Sequence, residues 1–188
     1  MNIQSKPPTT PDEFLRWNEG REGKREFVDG RVEEMMVGVS KFHAVVVARL
    51  VHQINVQLGL KEYVTSSAEF GVVTPAGVRY PDIMVDRMTG AGTDLAADEP
   101  LLIAEVLSPS SYTRDFGEKV IDYGAVDSLL YYLVLSQDES RVWIWSREVD
   151  GAWTGPAQHA EPHEHIRLAR LNLSLDIGDI YSGLFDQS

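Results

Sequence analysis

The chain has 188 residues, of which 43% are apolar and 24% charged, a composition typical of one soluble globular domain. It contains no cysteine, which excludes disulfides and thiolate metal sites, and no apolar run approaches the roughly 20 residues that span a bilayer, so we expect a cytoplasmic protein without a membrane segment. Its formal net charge of -12 argues against a DNA-binding protein that relies on a basic surface, because phosphate backbones attract cations.

The predicted elements begin after residues 1–9, which we expect to form a flexible arm. A capping box over residues 10–13 predicts a short helix that ends near Asn18. Asp29-Gly30, set between apolar residues, then predicts a β-hairpin. Ser40 precedes a stripe of apolar side chains at helical spacing, which predicts the longest helix of the chain, with Gly59 as its stop.

After the long helix, the apolar patterns predict short strands, a loop, a buried central strand, a helix and two more strands, in that order. Short strands are predicted at residues 62–66, 70–73 and 78–86, and the loop at 88–99. The buried central strand is predicted at 101–107, the helix at 113–126, and the last two strands at 130–135 and 141–145. The sequence SPSS ends the central strand, and the structure of the tail, residues 166–180, stays open. This order predicts one α/β domain over residues 1–188, with a mixed β-sheet flanked by helices rather than a regular βαβ repeat.

Glu105 is the most unusual acid of the chain because it lies in an apolar run, Leu101–Leu107. An ionised carboxylate in such a strand is costly unless it is paired or coordinated. The alternative is a glutamate at a strand end that forms a salt bridge with an arginine. The pattern favours a functional acid, without deciding between a metal ligand and an ion pair.

Asp82 follows Pro81 within the strand-like stretch 78–86. A proline in a strand indicates an edge, a start or a bulge, and bulges often direct side chains toward active sites. Taken alone, Pro-Asp is common in turns. If Asp82 and Glu105 converge from neighbouring strands, two carboxylates suit a hard cation such as Mg²⁺, which prefers oxygen ligands. We therefore predict a metal site at these two residues.

Lys119 and Asp115 lie four residues apart and should share one face of the predicted helix. From the spacing alone, an exposed ion pair of little energetic weight is the favoured interpretation.

Other motifs that carry chemistry are weak or absent in the sequence. It has no glycine-rich phosphate loop, no nucleophile elbow and no paired-histidine zinc helix. The histidines of HAEPHEH (His159, His163 and His165) fit a solvated loop better than a metal site. The tryptophans Trp143, Trp145 and Trp153 are predicted to pack in the core and on edge strands.

Three motifs together resemble one known family. RYPDIMV, PLLIAEVLSPSS and DFGEKVIDY are similar to the Uma-two family of restriction-endonuclease-like proteins, within the PD-(D/E)xK nuclease superfamily, and REFVDGRV and SKFH extend the likeness upstream. It runs from about Thr10 to Tyr132. The resemblance implies a restriction-endonuclease-like fold and a metal-dependent DNA endonuclease that uses Mg²⁺ (or Mn²⁺).

The resemblance also implies roles for site residues. Asp82 and Glu105 match the two metal-binding acids of the family, and the backbone carbonyl of Val106 is a further ligand. The resemblance thus implies one metal site that contains all three residues, and it implies that Asp82 and Glu105 are catalytic residues.

The sequence position of the implied catalytic lysine differs from that in the superfamily pattern. That pattern has a lysine two residues after the glutamate, where this chain has Leu107, and the resemblance implies that Lys119 on the following helix takes its role. Glu26 and His43 match family positions whose role is less defined. Glu26 could complete the metal shell, and His43 could contact it from the long helix.

Residues 127–135 depart from the family, which tends to have GVPEYWLVD where this chain has DSLLYYLVL. The missing proline and acids lie outside the predicted metal site. Together with the acidic net charge they favour a rival hypothesis, in which the chain is a catalytically weak or inactive nuclease-fold binding or regulatory protein that forms a homodimer. A third possibility is a hydrolase of another phosphodiester, such as a nucleotide or an RNA end.

Overall fold

Helices and strands follow one another without a repeating unit. The computed structural model describes residues 6–35, 37–108, 112–161 and 163–185. In chain order the elements are α1 (Pro11–Asn18), β1 (Lys24–Val28), β2 (Arg31–Met35), α2 (Lys41–Asn55), β3 (Tyr63–Ser66), β4 (Val72–Thr74), β5 (Gly77–Arg79), β6 (Ile83–Arg87), β7 (Pro100–Val106), α3 (Tyr112–Phe116), α4 (Glu118–Gly124), β8 (Tyr131–Leu135), β9 (Val142–Arg147), β10 (Trp153–His159), β11 (His165–Leu168), a 3₁₀ turn (Ala169–Leu171), β12 (Leu173–Asp176) and α5 (Ile177–Tyr181).

Local signals set the beginnings of the first elements. The Thr10 hydroxyl accepts the Glu13 amide at 3.2 Å and caps α1, while the Glu13 carboxylate accepts from Thr9. Asp29 and Gly30 have φ angles of 48° and 75°, the left-handed conformation that a tight hairpin turn needs. Ser40 caps α2 by accepting the His43 amide at 3.1 Å. The Thr10 cap, the hairpin and the start of the long helix are therefore confirmed, whereas Glu13 reaches back to Thr9 instead of to Thr10.

The main sheet has six strands in the order β10-β9-β8-β7-β6-β3. Only β7 and β8 run parallel, and the other neighbours of this sheet are antiparallel. A second sheet has the order β2-β1-β5-β4, and β11 pairs with β12. This is the predicted fold class, a mixed sheet flanked by helices, with the buried strand β7 at its centre.

The core lies on both faces of β7. Leu102 and Ala104 pack in the cluster that contains residues of α2, whereas Ile103 packs in the cluster that contains Tyr123 of α4. Side chains alternate between the faces of a strand, so Glu105 is on the same side as Ile103, toward α4. The fold thus directs one acid of the central strand at the helix that carries Lys119.

The predicted strand over residues 78–86 is wrong. The chain forms two strands there, β5 and β6, which belong to different sheets and are separated by residues 80–82. Pro81 has no amide hydrogen to donate to a ladder, so the pairing breaks where the chain passes from one sheet to the other. This break is what places Asp82 at the end of the main sheet.

The predicted helix over residues 113–126 is divided at Gly117 into α3 and α4. A Cβ atom at this glycine would lie 2.7 Å from the carbonyl oxygen of Thr113, so only a residue without a side chain allows the close approach. Pro109, Ser110 and Ser111 of the predicted strand stop lie outside the described residues, as do residues 1–5 of the predicted arm.

Two further boundaries differ from the predictions. Helix α2 ends at Asn55 rather than just before Gly59, and residues 56–58 form a turn whose amides still reach carbonyls of α2. Strand β10 was not predicted, because Gly155 and Pro156 interrupt its alternation. None of the helices in the described ranges is both long enough and apolar enough to cross a bilayer.

Candidate metal centre

Asp82 lies directly before β6, at the end of the main sheet. The last paired residues of β6 and β7 are Ile83 and Ala104, so the register brings Asp82 level with Glu105 on the neighbouring strand. The Asp82 Oδ2 atom accepts the backbone amide of Val106 at 2.8 Å. This bond fixes the aspartate against the carboxyl end of β7.

His43 of α2 makes the second contact to the same oxygen of Asp82. Its Nε2 atom lies 3.1 Å from Asp82 Oδ2, and the imidazole is buried. Burial raises the pKa of Asp82, but the contacts from His43 and from the Val106 amide outweigh it and bring the pKa below its ordinary value. Asp82 is therefore held as a carboxylate.

Glu105 is only 4% exposed, as its apolar strand predicted. Its Oε1 atom accepts from Lys119 Nζ at 2.8 Å and from the Tyr123 hydroxyl at 3.0 Å. Burial raises the pKa of Glu105 to about 8, the charge of Lys119 opposes the shift, and the charges of Asp82 and Asp115 add to it. A second cation beside this carboxylate would favour its ionised form.

Lys119 is buried between two acids. Its Nζ atom lies 2.8 Å from Glu105 Oε1 and 3.1 Å from Asp115 Oδ1, and both acids are buried with it. The exposed ion pair that the spacing favoured is therefore wrong. Burial works to lower the pKa of Lys119, but the charges of Glu105 and Asp115 outweigh it and raise the pKa. An ammonium group has three donors, so one N–H remains beyond these two contacts.

Glu26 belongs to a neighbouring ion pair. Its Oε2 atom accepts from Arg79 Nη1 at 2.9 Å, and its Oε1 atom accepts the Tyr80 amide at 3.3 Å. Across the residues that the structure describes, no three His, Asp or Glu side chains converge as a metal-ligating cluster. The structure thus brings Asp82, Glu105 and Lys119 together, whereas ligand roles for Glu26, His43 and the Val106 carbonyl stay predictions.

The sequence did not predict the contacts that two residues of this region make. Tyr123 donates to Glu105 from one turn beyond Lys119, and the spacing of four residues was the signal for it. Arg79 is 1% exposed and joins Glu26 of β1 to Asp122 of α4. No sequence pattern predicts the contact of Arg79 with Glu26 and Asp122, because that contact depends on how β5, β1 and α4 pack.

The chemistry of the donor set fits a divalent cation. In the described ranges, every hydrogen bond to the Asp82 carboxylate goes to Oδ2, and every one to the Glu105 carboxylate goes to Oε1. Each acid thus keeps one oxygen that no described residue occupies. Lys119 contacts the carboxyl groups of Glu105 and Asp115, and the charge of Asp82 acts on Glu105 as well, so a divalent cation would balance the excess negative charge.

The site opens into a cleft of about 730 Å³. Asp82, Glu105, Val106 and Lys119 line it, together with residues of the loop between α1 and β1. The cleft is large enough for part of a polymer chain, and the candidate site is accessible from it.

The other candidates from the sequence lie elsewhere. His159 is paired with Glu164, and His165 Nδ1 lies 3.3 Å from Asp176 Oδ2. The tryptophans pack as predicted, and the rings of Trp145 and Tyr132 lie 5.4 Å apart.

Comparisons with known proteins agree with this fold. The sequence profile of the Uma2 family, described as "Putative restriction endonuclease", matches residues 11–178. Two proteins of Synechocystis sp., both described as uncharacterized, are similar to the chain. The protein slr1290 is 30% identical over 182 residues, 95% of this chain and 94% of its own length. The protein sll1609 is 29% identical over 149 residues, 77% of this chain and 84% of its own length.

One solved structure shares the architecture. It is a chain from Anabaena variabilis described as "a putative nuclease belonging to DUF820", and it matches with a TM-score of 0.74. The match covers 94% of this chain and 99% of the other at 19% identity, so it shows a common fold.

Proposed function

The chain belongs to the Uma2 family, and from that premise we propose that it is a metal-dependent DNA endonuclease that hydrolyses phosphodiester bonds. The observation that carries the proposal is the position of Asp82 and Glu105 side by side at one end of the main sheet, with the Lys119 ammonium 2.8 Å from Glu105. Two carboxylates can hold the divalent cation of metal-assisted phosphodiester hydrolysis, and a buried ammonium can stabilise the charge that develops on the phosphate.

Asp82 Oδ1 and Glu105 Oε2 would hold Mg²⁺ or Mn²⁺, with the Val106 carbonyl as a further ligand. Water would fill the remaining positions, since Mg²⁺ keeps several of its waters in protein sites. When bound, the divalent cation supplies a Lewis acid that polarises the phosphodiester and lowers the pKa of a coordinated water.

The protein side chains orient the reacting groups. His43 and the Val106 amide hold one oxygen of Asp82, and Tyr123 and Lys119 hold one oxygen of Glu105, so both carboxylates have fixed directions. The remaining N–H of Lys119 would donate to a phosphate oxygen or to the attacking water. A positive charge that is already in place stabilises the negative charge that develops in the transition state.

The plasmid-cleavage experiment tests this function. Supercoiled plasmid is incubated with the purified protein and Mg²⁺ or Mn²⁺, in parallel with Asp82→Asn and Glu105→Gln. The matched control is Asp127→Asn, which removes an exposed aspartate that does not line the cleft. We expect cleavage by the wild type and by the control, and none by the other two variants. Equal cleavage by all four proteins contradicts the proposal, because a contaminating nuclease would then explain it.

The acidic net charge of -12 favours the second candidate, a homodimeric binding or regulatory protein with the same fold. Calorimetric titration with Mg²⁺ and Mn²⁺ separates the two candidates. The nuclease requires metal binding that Asp82→Asn loses, and a wild type that binds neither metal supports the second candidate. If metal binds but plasmid is not cut, a panel of RNA and nucleotide substrates tests the third possibility, hydrolysis of another phosphodiester.

A further inference from the structure

The mouth of the cleft carries a cationic segment that the proposed chemistry does not use. Residues 19–25, here called the basic loop, run from the end of α1 through the first two residues of β1 and contain Arg21, Lys24 and Arg25. All three line the same cleft as Asp82 and Glu105. Two acids, Glu19 and Glu22, lie in the same segment, so its three cations leave a formal charge of +1 in a chain whose formal net charge is -12.

Trp17 supports two of these cations. The guanidinium carbon of Arg21 lies 4.2 Å from the centre of the Trp17 ring, and that of Arg25 lies 5.8 Å from it. Arg21 Nε also donates to the Trp17 carbonyl. A guanidinium over an indole face is attracted by the ring, which holds the positive charge in a defined place. One aromatic side chain therefore orients two like charges at the cleft mouth.

The protein does little to neutralise Lys24 and Arg25. Among the described residues, Lys24 makes no ion pair, and the one ion pair of Arg25 is a 3.9 Å contact with Glu34, whose side chain is 84% exposed. Such a distant, exposed pair contributes little. Arg25 Nη1 is buried and has no hydrogen-bond partner in the described ranges.

The other cleft cations are paired with acids. Lys119 lies between two carboxylates, and Arg114 Nη2 is 3.7 Å from Glu33 Oε2. Among the described residues, Lys24 and Arg25 are thus the cations of the cleft that make no close ion pair with an acid of the protein.

We propose that Arg21, Lys24 and Arg25 bind backbone phosphates of the DNA that enters the cleft. This inference rests on the proposed function and names the surface that holds its substrate. The floor of the cleft carries carboxylates that repel phosphate, so an acidic protein needs a separate cationic edge to hold a nucleic acid near Asp82 and Glu105. Guanidinium and ammonium groups that contact phosphates give affinity without sequence preference.

Fluorescence anisotropy with a labelled DNA duplex tests the basic loop. Binding is measured in EDTA, which prevents cleavage, over a series of salt concentrations. The triple variant Arg21→Gln, Lys24→Gln, Arg25→Gln is compared with a triple variant of equal charge change, Arg31→Gln, Lys61→Gln, Arg167→Gln. The three control residues are exposed and do not line the cleft.

We expect the loop variant to lose tenfold or more in affinity, and its slope of log affinity against log salt to fall by about two to three. The control should shift affinity by a few-fold at most. Equal affinity and slope for the two triple variants overturn the inference. The single variant Lys24→Gln changes an exposed side chain without an ion pair and should lower the slope by about one. It decides the question if the triple variant does not fold.

The plasmid assay separates this inference from the proposed function. If the wild type cuts plasmid and the loop variant binds DNA as the control does, only the role of the basic loop is wrong. If the wild type binds DNA through the loop but cuts nothing, the endonuclease proposal is wrong and the loop is supported. A wild type that neither binds nor cuts DNA contradicts both.

Discussion

Lys119 reaches Glu105 from a helix, with Nζ 2.8 Å from Oε1, although the two residues are 14 positions apart in sequence. The superfamily pattern that the sequence resembles has its lysine two residues after the glutamate, where this chain has Leu107 directly after β7. That leucine is 7% exposed and packs against the core, so the strand has no free place for a cation there. The ammonium therefore depends on the position of α4, which must be fixed against the sheets.

Arg79 connects α4 to the second sheet. Its guanidinium is buried and joins Glu26 of β1 to Asp122 of α4. We predict that Arg79→Met lowers the free energy of unfolding by about 3–5 kcal/mol, because two acids lose their buried partner. Urea denaturation measures the effect. Arg87→Met is the control: its pair with Glu99 is exposed, and its loss should cost less than about 1 kcal/mol. Similar losses for both variants would contradict this role of Arg79.

His43 is expected to act through Asp82. We predict that His43→Ala weakens Mn²⁺ binding by about 10- to 100-fold, because the aspartate loses one of the two donors that orient it. Calorimetric titration measures the affinity. His52→Ala, which removes an exposed histidine from the same helix, should leave the affinity unchanged. Unchanged affinity in a folded His43→Ala protein would show that the Val106 amide alone positions Asp82.

Tyr123 and Tyr132 allow a matched comparison of two buried hydroxyls. The Tyr123 hydroxyl donates to the Glu105 carboxylate at 3.0 Å, and the Tyr132 hydroxyl donates to the backbone carbonyl of Asp115 at 3.0 Å. We predict that Tyr123→Phe lowers the cleavage rate about tenfold, the effect of about 1.4 kcal/mol in the barrier. Tyr132→Phe should cost about 1 kcal/mol of stability and leave the rate unchanged. Equal rates for both variants would show that the Tyr123 hydroxyl only supports the fold.

The sequence predicted what depends on neighbouring residues. The caps at Thr10 and Ser40 and the Asp-Gly turn are local signals, and the structure confirms them. The acid in an apolar strand was recognisable because burial of Glu105 follows from the residues around it. These signals involve residues within a few positions of one another, and composition and spacing record them directly.

Long-range packing explains what the sequence did not predict. The break at residues 80–82 depends on β5 and β6 joining different sheets, and the break at Gly117 depends on a contact with the Thr113 carbonyl. The contacts of Arg79 need β1, β5 and α4 to meet, and no spacing along the chain encodes that meeting. The burial of Lys119 was missed for the same reason, since an i, i+4 pair has the same spacing on an exposed face and on a buried one.

The raised pKa of Glu105 predicts a pH-dependent stability in the absence of metal. Burial raises this pKa from its ordinary 4.5 to about 8 in the folded protein. Between these values the folded protein keeps a proton that the unfolded chain releases, so wild-type stability falls as the pH rises from about 4.5 to 8. The slope from this one group is at most about 1.4 kcal/mol per pH unit.

Glu105→Gln removes the titrating carboxyl group and keeps its size, which makes the prediction testable. The variant has no proton to release at this position, so its stability relative to the wild type should increase with pH up to about 8 and then stay level. Urea unfolding of both proteins in EDTA, at intervals of one pH unit, measures the difference. Excess Mg²⁺ should stabilise the wild type and not the variant, because only the carboxylate binds the cation. A difference between the two proteins that does not change with pH would contradict the raised pKa of Glu105.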